Sequence, residues 1–300
     1  MEEGRPSATA IIAAMTRASH LFLDDDPKIF QDPLALGLSG AENETALQAT
    51  LEDIRTEIAR RSTPEFAQTW LKYNRANITL RQRYTEDELG KALERGMTQY
   101  VILGAGLDSF AYRRPDLAAV LRVFEVDHPA TQQWKCTRLQ ELNVARPSNL
   151  TFVPVDFERQ TLADALRAGG HRSELPTFVS WLGVTMYLTE AAVFETLRYV
   201  ASLAPGSEMV FQYYLTESLL TEEGRHLLAI YKVAAAVRGE PWLSFFEPAD
   251  LAARVKNLGF EQVWDLGPEE ANAHYFAGRT DGLCDGGLSH HMKARVGSLA

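Results

Sequence analysis

The sequence is poor in cysteine, in positive charge and in long apolar runs, and each shortage argues against a class of protein. Two cysteines, Cys136 and Cys284, with no CxxC pair disfavour a disulfide framework and a cysteine-rich metal site. The 30 lysines and arginines face 40 acidic residues, and the net charge of −10 disfavours nucleic-acid binding. No apolar run reaches the roughly eighteen residues of a membrane span, and residues 1–6 lack secretory-signal features. We therefore expect a cytoplasmic protein with no nucleic-acid or membrane partner.

Hydrophobic periodicity divides the chain into a helical first part and an α/β remainder. Leu47, Leu51, Ile54 and Ile58 recur at spacings of three and four, which predicts an amphipathic helix. From about residue 96, short apolar runs alternate with helix-compatible segments, the pattern of right-handed βαβ units and a mostly parallel sheet. Strands are predicted at 100–103, 123–127, 150–155, 177–184, 208–214 and 260–266, and helices at 108–119, 130–142, 159–168, 189–202 and 248–258. We predict a helical cap over 1–95 and a domain over 96–300 with a cap insertion at about 215–247.

A glycine-rich turn follows the first predicted strand. Gly104, Ala105 and Gly106 allow the backbone to turn tightly and to approach a ligand closely. Asp127 ends the next predicted strand, where a carboxylate can accept hydrogen bonds from both hydroxyls of a ribose. Together the turn and the acid favour a nucleoside-containing cofactor over a plain strand-to-helix connection.

Asp108 discriminates between the two main cofactors of this kind. In a dinucleotide site the pyrophosphate lies at the start of the helix, where the Asp108 carboxylate would cost on the order of 1 kcal/mol by charge repulsion. S-Adenosylmethionine carries an ammonium and a sulfonium and no phosphate, so Asp108 is tolerated or helpful. The charges favour methyl transfer, with an NAD-dependent dehydrogenase as the rival.

Several motifs resemble the leucine carboxyl methyltransferase superfamily, and most closely its bacterial branch of polyketide O-methyltransferases. The similar segments are 17–20 (RASH), 32–35 (DPLA), 81–84 (RQRY), 100–113 (YVILGAGLDSFAYR), 124–129 (FEVDHP), 154–157 (PVDF), 183–188 (GVTMYL) and 279–283 (RTDGL). The resemblance implies a doubly wound, mostly parallel, seven-stranded Rossmann-like methyltransferase sheet with an N-terminal helical cap. It also implies S-adenosyl-L-methionine as cofactor and S-adenosyl-L-homocysteine as product.

The resemblance also implies roles for individual residues. Arg83, or Arg81 two residues earlier, matches the arginine that pairs with the methionine carboxylate of the cofactor. The glycine turn, Gly104 to Gly106 with Asp108, would line the cofactor, and Asp127 would hold its ribose. Asp156 and Phe157 match the pair that holds adenine. One departure is Leu182, which stands where the family commonly has a glutamate, so no role is transferred to it.

The acceptor side is less defined by sequence. Tyr187 follows the fourth predicted strand and is the candidate catalytic residue, either shaping the methyl pocket or packing beneath the cap. No metal-ligand cluster is evident, and His290 with His291 is expected to be a solvated pair. Candidate pocket walls are His274, Tyr275, Tyr213, Tyr214 and Trp242.

We expect O-methylation of a small-molecule carboxylate or hydroxyl, in secondary metabolism, by a monomer or homodimer. Two alternatives stay open. One is C- or N-methylation of a small molecule, because the cofactor site does not encode the acceptor atom. The other is a non-catalytic protein that keeps the methyltransferase fold and uses its cap as a binding surface.

Overall fold

The computed structural model describes residues 7–156 and 160–297. Its helices are α1 (Ala8–Leu23), α2 (Ala35–Ser39), α3 (Glu44–Arg61), α4 (Pro64–Glu94), α5 (Phe110–Arg113), α6 (Pro129–Glu141), α7 (Leu162–Ala168), α8 (Glu190–Ala201), α9 (Glu222–Val237), α10 (Pro248–Asn257) and α11 (Pro268–Tyr275). Its strands are β1 (Gln99–Leu103), β2 (Arg122–Asp127), β3 (Leu150–Pro154), β4 (Phe178–Trp181), β5 (Glu208–Tyr214), β6 (Phe260–Leu266) and β7 (Ser289–Val296). None of these helices is long and apolar enough to cross a membrane.

The strands form one seven-stranded sheet in the order β3-β2-β1-β4-β5-β7-β6. Strands β1 to β5 are parallel, while β7 runs antiparallel between β5 and β6. The chain moves outward from β1 to β3 on one side and then returns to β4 on the other. This reversal between β1 and β4 is the point at which open α/β sheets bind ligands, at the carboxyl ends of the strands.

Apolar side chains cover both faces of the sheet. On one face Val193 and Leu197 of α8 and Leu251 of α10 join the main core. On the other face Leu80 and Leu89 of α4 pack against strand residues. Burial on both faces explains why the central strands β1 and β4 are apolar runs rather than alternating ones.

The structure corrects two of the predicted elements and adds a strand. The helix predicted over 108–119 is only α5 followed by a short 3-10 turn at Pro115–Leu117, because Pro115 has no backbone N–H to continue the helix. The strand predicted over 177–184 is shorter and ends at Trp181, and the chain turns at Gly183. Strand β7 was not predicted, because its residues facing α4 are polar and the sequence lacks an apolar run there.

Candidate functional site

Two glycines with left-handed backbone flank the reversal point of the sheet. Gly104 follows β1 with φ +66°, and Gly183 follows β4 with φ +69°. A Cβ added to Gly104 would lie 2.4 Å from Cγ2 of Val184, which is closer than packed carbon atoms approach. The backbone conformation and the space both require glycine, so this turn is built around close backbone contact.

Asp127 faces the glycine turn from the end of β2. Its Oδ2 accepts from the Gly106 N–H at 2.5 Å, and its Oδ1 accepts from the His128 N–H at 2.6 Å. Each carboxylate oxygen can accept more than one hydrogen bond, so both retain capacity for a ligand hydroxyl. Burial raises the pKa of Asp127, and the two backbone donors oppose that rise. The turn therefore holds this acid in a fixed orientation.

Asp108 is buried within the turn, with 5% of its surface exposed. Its Oδ1 accepts from the Phe110 N–H at 2.7 Å, which ties the carboxylate to the start of α5. Its own N–H donates to the carbonyl oxygen of Ala105 at 2.8 Å. A pyrophosphate beside this buried acid would meet a charge that water does not screen, so the geometry strengthens the argument against a dinucleotide.

Arg81 projects from α4 toward the end of β4. Its Nη1 donates to Oε1 of Gln212 at 3.3 Å, and its Nε has no hydrogen-bond partner among the described residues. A Cβ on Gly183 would lie 2.4 Å from Nη1, so the glycine leaves room for the guanidinium. Arg81 is 8% exposed, and burial lowers its pKa to about 10, which keeps it a cation at neutral pH. A buried cation without an acidic partner in the described chain is costly and favours an anionic ligand.

Polar side chains that the sequence reasoning missed hold this arginine in place. The Gln212 amide donates to Oδ1 of Asn77 and to Oγ of Ser289, both at 3.0 Å. Asn77 in turn donates to Ser289 at 2.7 Å. Asn77 lies one helical turn before Arg81 on the same face of α4, and this spacing is a signal that could have identified it.

Arg83 lies on a different face of α4 from Arg81. Its Nε donates to both carboxylate oxygens of Asp87, at 2.9 and 3.0 Å, and its side chain is 47% exposed. It lines an outer cavity of about 280 Å³ together with residues 25–29, His274, Tyr275 and residues 277–280. The structure therefore does not bring Arg83, His274 or Tyr275 to the glycine turn, and of the two arginines it brings only Arg81 there.

The remaining predicted cofactor residues follow β3. Asp156 comes two residues after the end of β3, and Asp127 lies beside Pro154 in the strand register, so the two acids end neighbouring strands. The Val155 N–H donates to the Asp127 carbonyl oxygen at 2.9 Å and links the two strand ends. Phe157 lies outside the described residues.

Helix α1 covers the glycine turn. The Cβ of Ala10 is 3.1 Å from the position that a Cβ on Gly106 would take. Arg17 donates from Nη2 to the Leu107 carbonyl oxygen at 2.6 Å, and its Nε pairs with Oδ2 of Asp32 at 2.8 Å. Through these two contacts, Arg17 attaches helix α1 to the glycine turn and to Asp32.

Tyr187 contacts the start of α1. Its hydroxyl donates to Oγ1 of Thr9 at 3.5 Å, and Thr9 donates to Oε2 of Glu240. Oγ of Ser7 donates to Oε1 of the same glutamate at 3.2 Å. These contacts join the start of α1 to the segment after α9 and to Tyr187.

An aromatic cluster, formed by Trp70, Tyr214, Tyr231 and Trp242, packs beside Tyr187 in the main core. The Trp242 ring centroid lies 4.3 Å from that of Tyr214 and 5.5 Å from that of Tyr231, and Tyr231 lies 5.0 Å from Trp70. The indole nitrogens of both tryptophans are buried without a hydrogen-bond partner in the described chain. Tyr213 points to the opposite face of the sheet, where it donates to Asp265 at 2.7 Å.

The expectation of a solvated His290–His291 pair is wrong. His291 is fully buried and neither ring nitrogen has a partner within the described ranges, while Nδ1 of His290 lies 2.6 Å from Oδ2 of Asp265. Both residues lie in β7, which neighbouring strands enclose on both sides. Burial lowers the pKa of His291 to about 3. No group of three or more His, Cys, Asp or Glu suited to a metal occurs in residues 7–156 and 160–297.

A family model described as leucine carboxyl methyltransferase matches residues 10–201, which include α1, Arg81, both glycines and Asp127. The chain belongs to the leucine carboxyl methyltransferase family. A Bacillus subtilis protein named as an S-adenosyl-L-methionine-dependent methyltransferase, YktD, is 35% identical over 304 residues, covering 98% of this chain and 99% of its own. A Streptomyces avermitilis protein with the same type of name is 36% identical over 204 residues, covering 67% of each chain.

Two solved structures show the same fold. A crystal structure described as a methyltransferase from Thermobifida fusca has a TM-score of 0.57 at 18% identity, covering 99% of this chain and 97% of its own. A DUF574 family protein from Streptomyces avermitilis has a TM-score of 0.55 at 16% identity, covering 79% and 90%. At these sequence identities, the two structures support an assignment of the fold only. The family, the doubly wound fold and the S-adenosyl-L-methionine cofactor expected from the sequence are thereby confirmed.

Proposed function

We propose that this family member transfers a methyl group from S-adenosyl-L-methionine to an oxygen of a small molecule, a carboxylate or a hydroxyl. The observation that carries the cofactor's placement is the buried guanidinium of Arg81, which has no acidic partner in the described chain and lies against Gly183 at the reversal point of the sheet. A carboxylate there would form the charge-assisted hydrogen bonds that the arginine lacks.

The described residues fit the methionine and ribose parts of the cofactor in this proposal. Arg81, rather than Arg83, would hold the methionine carboxylate, and Gly104 with Ala105 and Gly106 would lie against the middle of the molecule. Asp127 would accept from the ribose hydroxyls, since its two backbone donors leave an acceptor position on each oxygen. We propose that Asp156 and Phe157 hold the adenine.

Catalysis in this proposal depends on how the protein positions the methyl donor and the acceptor. The cofactor supplies a methyl group that is activated by an adjacent positive sulfur. The protein's own residues fix both ends of the donor and exclude water, and alignment of this kind supplies much of the rate enhancement of a displacement. Helix α1 covers the glycine turn through Ala10 and Arg17. The Tyr187 hydroxyl lies beside Thr9, which contacts Glu240, and in this position it can orient an acceptor.

The acceptor is proposed to be a small molecule because the contacts of Ser7 and Thr9 with Glu240 lie over Tyr187 and leave little room for a large substrate. Trp70 and Trp242 are each less than 10% exposed, and Tyr231 lies between them. In this proposal the helices within 1–95 and the insertion at about 215–247 act as a cap on the domain of 96–300. Two free cysteines agree with a reducing cytoplasm, and a secondary metabolite is the proposed kind of substrate.

Methyl transfer from labelled S-adenosyl-L-methionine to a panel of phenols and carboxylic acids tests the proposal. A labelled product that alkali hydrolyses identifies a methyl ester, and an alkali-stable product that is an aryl methyl ether by mass spectrometry identifies hydroxyl methylation. Labelled products methylated only at carbon or nitrogen would refute O-methylation. Arg81→Met should abolish most of the labelling, whereas Arg83→Met should retain it.

A further inference from the structure

The start of helix α1 is held differently from the rest of that helix. Residues 13–20 are all buried, and Arg17 among them pairs with Asp32 at 2.8 Å. Residues 7–12, which we call the flap, are only partly buried or exposed. Local opening takes place where few groups are buried. The flap is therefore the part of α1 that can separate from the protein while residues 13–20 stay in place.

The flap lies directly over the glycine turn. The Cβ of Ala10 is 3.1 Å from the position that a Cβ on Gly106 would take, so no molecule can pass between the flap and the turn. The Ser7 N–H donates at 3.3 Å to Oγ1 of Thr131 in α6, the helix that follows Asp127. A cofactor held by the turn and by Asp127 would be covered on this side until the flap opens.

One carboxylate, that of Glu240, holds the other side of the flap. Its Oε1 accepts from Oγ of Ser7 at 3.2 Å, and its Oε2 accepts from Oγ1 of Thr9. Thr9 also accepts from the Tyr187 hydroxyl at 3.5 Å. Hydrogen bonds to an ionised group are roughly twice as strong as neutral ones, so the two bonds to Glu240 are the strongest polar contacts of the flap.

Glu240 itself is attached to the body of the protein. Its N–H donates to the Ala235 carbonyl oxygen at 3.0 Å and closes the end of α9. Three residues further on, the Leu243 N–H donates to the Met186 carbonyl oxygen at 2.6 Å, in the turn that follows β4. The acid is therefore fixed between α9 and the end of β4, and opening requires movement of the flap alone.

We propose that the flap is a gate through which the cofactor enters and leaves, and that Glu240 is the latch that keeps this gate closed. The inference rests on the proposed function, which places the cofactor at the glycine turn. Opening breaks the bonds of Ser7 and Thr9 to Glu240, and closing restores them over the bound cofactor. Closing also returns Thr9 to the Tyr187 hydroxyl, so the acceptor side is completed in the same movement.

A latch controls the rates of exchange more than the affinity. Without the Glu240 carboxylate the flap opens more readily in the free and in the loaded protein. Glu240→Ala should therefore raise both the association and the dissociation rate constants of S-adenosylhomocysteine by at least about tenfold, while Kd changes by less than about threefold. Surface plasmon resonance on the immobilised protein measures both rates. Glu217→Ala is the matched control, because Glu217 lies in the same insertion and pairs with Lys232 at the surface; it should leave both rates unchanged.

Unchanged rates in Glu240→Ala would overturn the proposal, as would a faster dissociation with no change in association, which would mean that Glu240 only supports binding. Cross-linking provides an independent test. Thr9→Cys and Glu240→Cys are combined with Cys136→Ser and Cys284→Ser, and the two new thiols are joined with dibromobimane. The joined protein should take up S-adenosylhomocysteine at least about tenfold more slowly than the same protein treated with monobromobimane. Equal uptake rates would contradict the gate.

Hydrogen exchange of the free protein tests the latch without any cofactor. The amides of residues 10–12 should exchange faster in Glu240→Ala than in the wild type, and those of residues 14–20 should not change; equal exchange at 10–12 would refute the latch. Thermal unfolding confirms that each variant is folded. Calorimetry with S-adenosylhomocysteine is done first on the wild type. Absence of binding there refutes the proposed function, whereas normal binding with unaltered rates and exchange refutes the gate alone.

Discussion

Replacing Arg81 by methionine should have opposite effects on the stability of the free protein and on its affinity for the cofactor. The guanidinium is 8% exposed and its Nε is unpartnered in the described chain, so the free protein bears an uncompensated desolvation cost. An apolar side chain of similar length removes that cost, and we expect Arg81→Met to raise the free energy of unfolding by about 1 kcal/mol.

The same substitution should weaken S-adenosylmethionine binding. Removing one partner of a buried charge pair costs about 2–5 kcal/mol, and a central value of about 3 kcal/mol corresponds to a roughly 100-fold higher Kd. Adenosine has no carboxylate, so its affinity should change less than about threefold. Arg83→Met is the matched control: Arg83 is half-exposed and paired with Asp87, and such surface pairs contribute about 0–1 kcal/mol.

Isothermal calorimetry with both ligands and urea unfolding of the free proteins measure these quantities. Equal weakening of S-adenosylmethionine binding by Arg81→Met and Arg83→Met would refute the role of Arg81, as would an adenosine affinity that falls as much as the S-adenosylmethionine affinity. A large loss of stability in Arg81→Met would show that the guanidinium is a structural group.

Three further predictions concern Asp127, the glycine turn and β7. Asp127→Ala should weaken S-adenosylmethionine and adenosine alike by about 1.5–3 kcal/mol in calorimetry, and unchanged adenosine affinity would exclude the ribose role. Gly104→Ala should lower the free energy of unfolding by about 1–3 kcal/mol because of its φ of +66° and the contact with Val184, and a second change, Val184→Ala, should restore part of that loss; no recovery would mean that backbone strain alone is responsible. The folded-state pKa of His291, about 3, lies below its ordinary value, so its stabilising contribution is present above pH 6.5 and lost as the pH falls toward 3, at up to about 1.4 kcal/mol per unit. His291→Gln should reduce the acid-side slope of the unfolding free energy between pH 6.5 and 5, and equal slopes would contradict the burial argument.

The meeting of the glycine turn with Asp127 was predictable because it depends on local features. Gly104 and Gly106 follow an apolar strand directly, and Asp127 ends the next strand, so short-range sequence patterns place all three at one edge of a parallel sheet. The sequence did not show which way the side chains of α4 point, because that direction depends on each residue's position around the helix. Arg81 and Arg83 are about 200° apart around α4, and this long polar helix has no strong apolar stripe that shows which one faces the sheet.

The acceptor half depends on contacts between distant segments. Glu240 meets Ser7 and Thr9 across more than 230 positions, and the loop before β7 lies at the carboxyl end of β5 only because β7 inserts antiparallel beside that strand. No local pattern encodes such contacts. Strand β7 itself was missed because it alternates apolar residues with Ser289, His291 and Lys293, whose polar side chains face α4 and are buried there.

A crystal structure with S-adenosylhomocysteine bound tests the central claim most directly. The account predicts the amino-acid carboxylate within hydrogen-bonding distance of the Arg81 guanidinium, with the ribose hydroxyls on Asp127 and the chain of the ligand passing over Gly104. A ligand whose carboxylate instead lies in the outer cavity beside Arg83, or whose ribose does not touch Asp127, would contradict it.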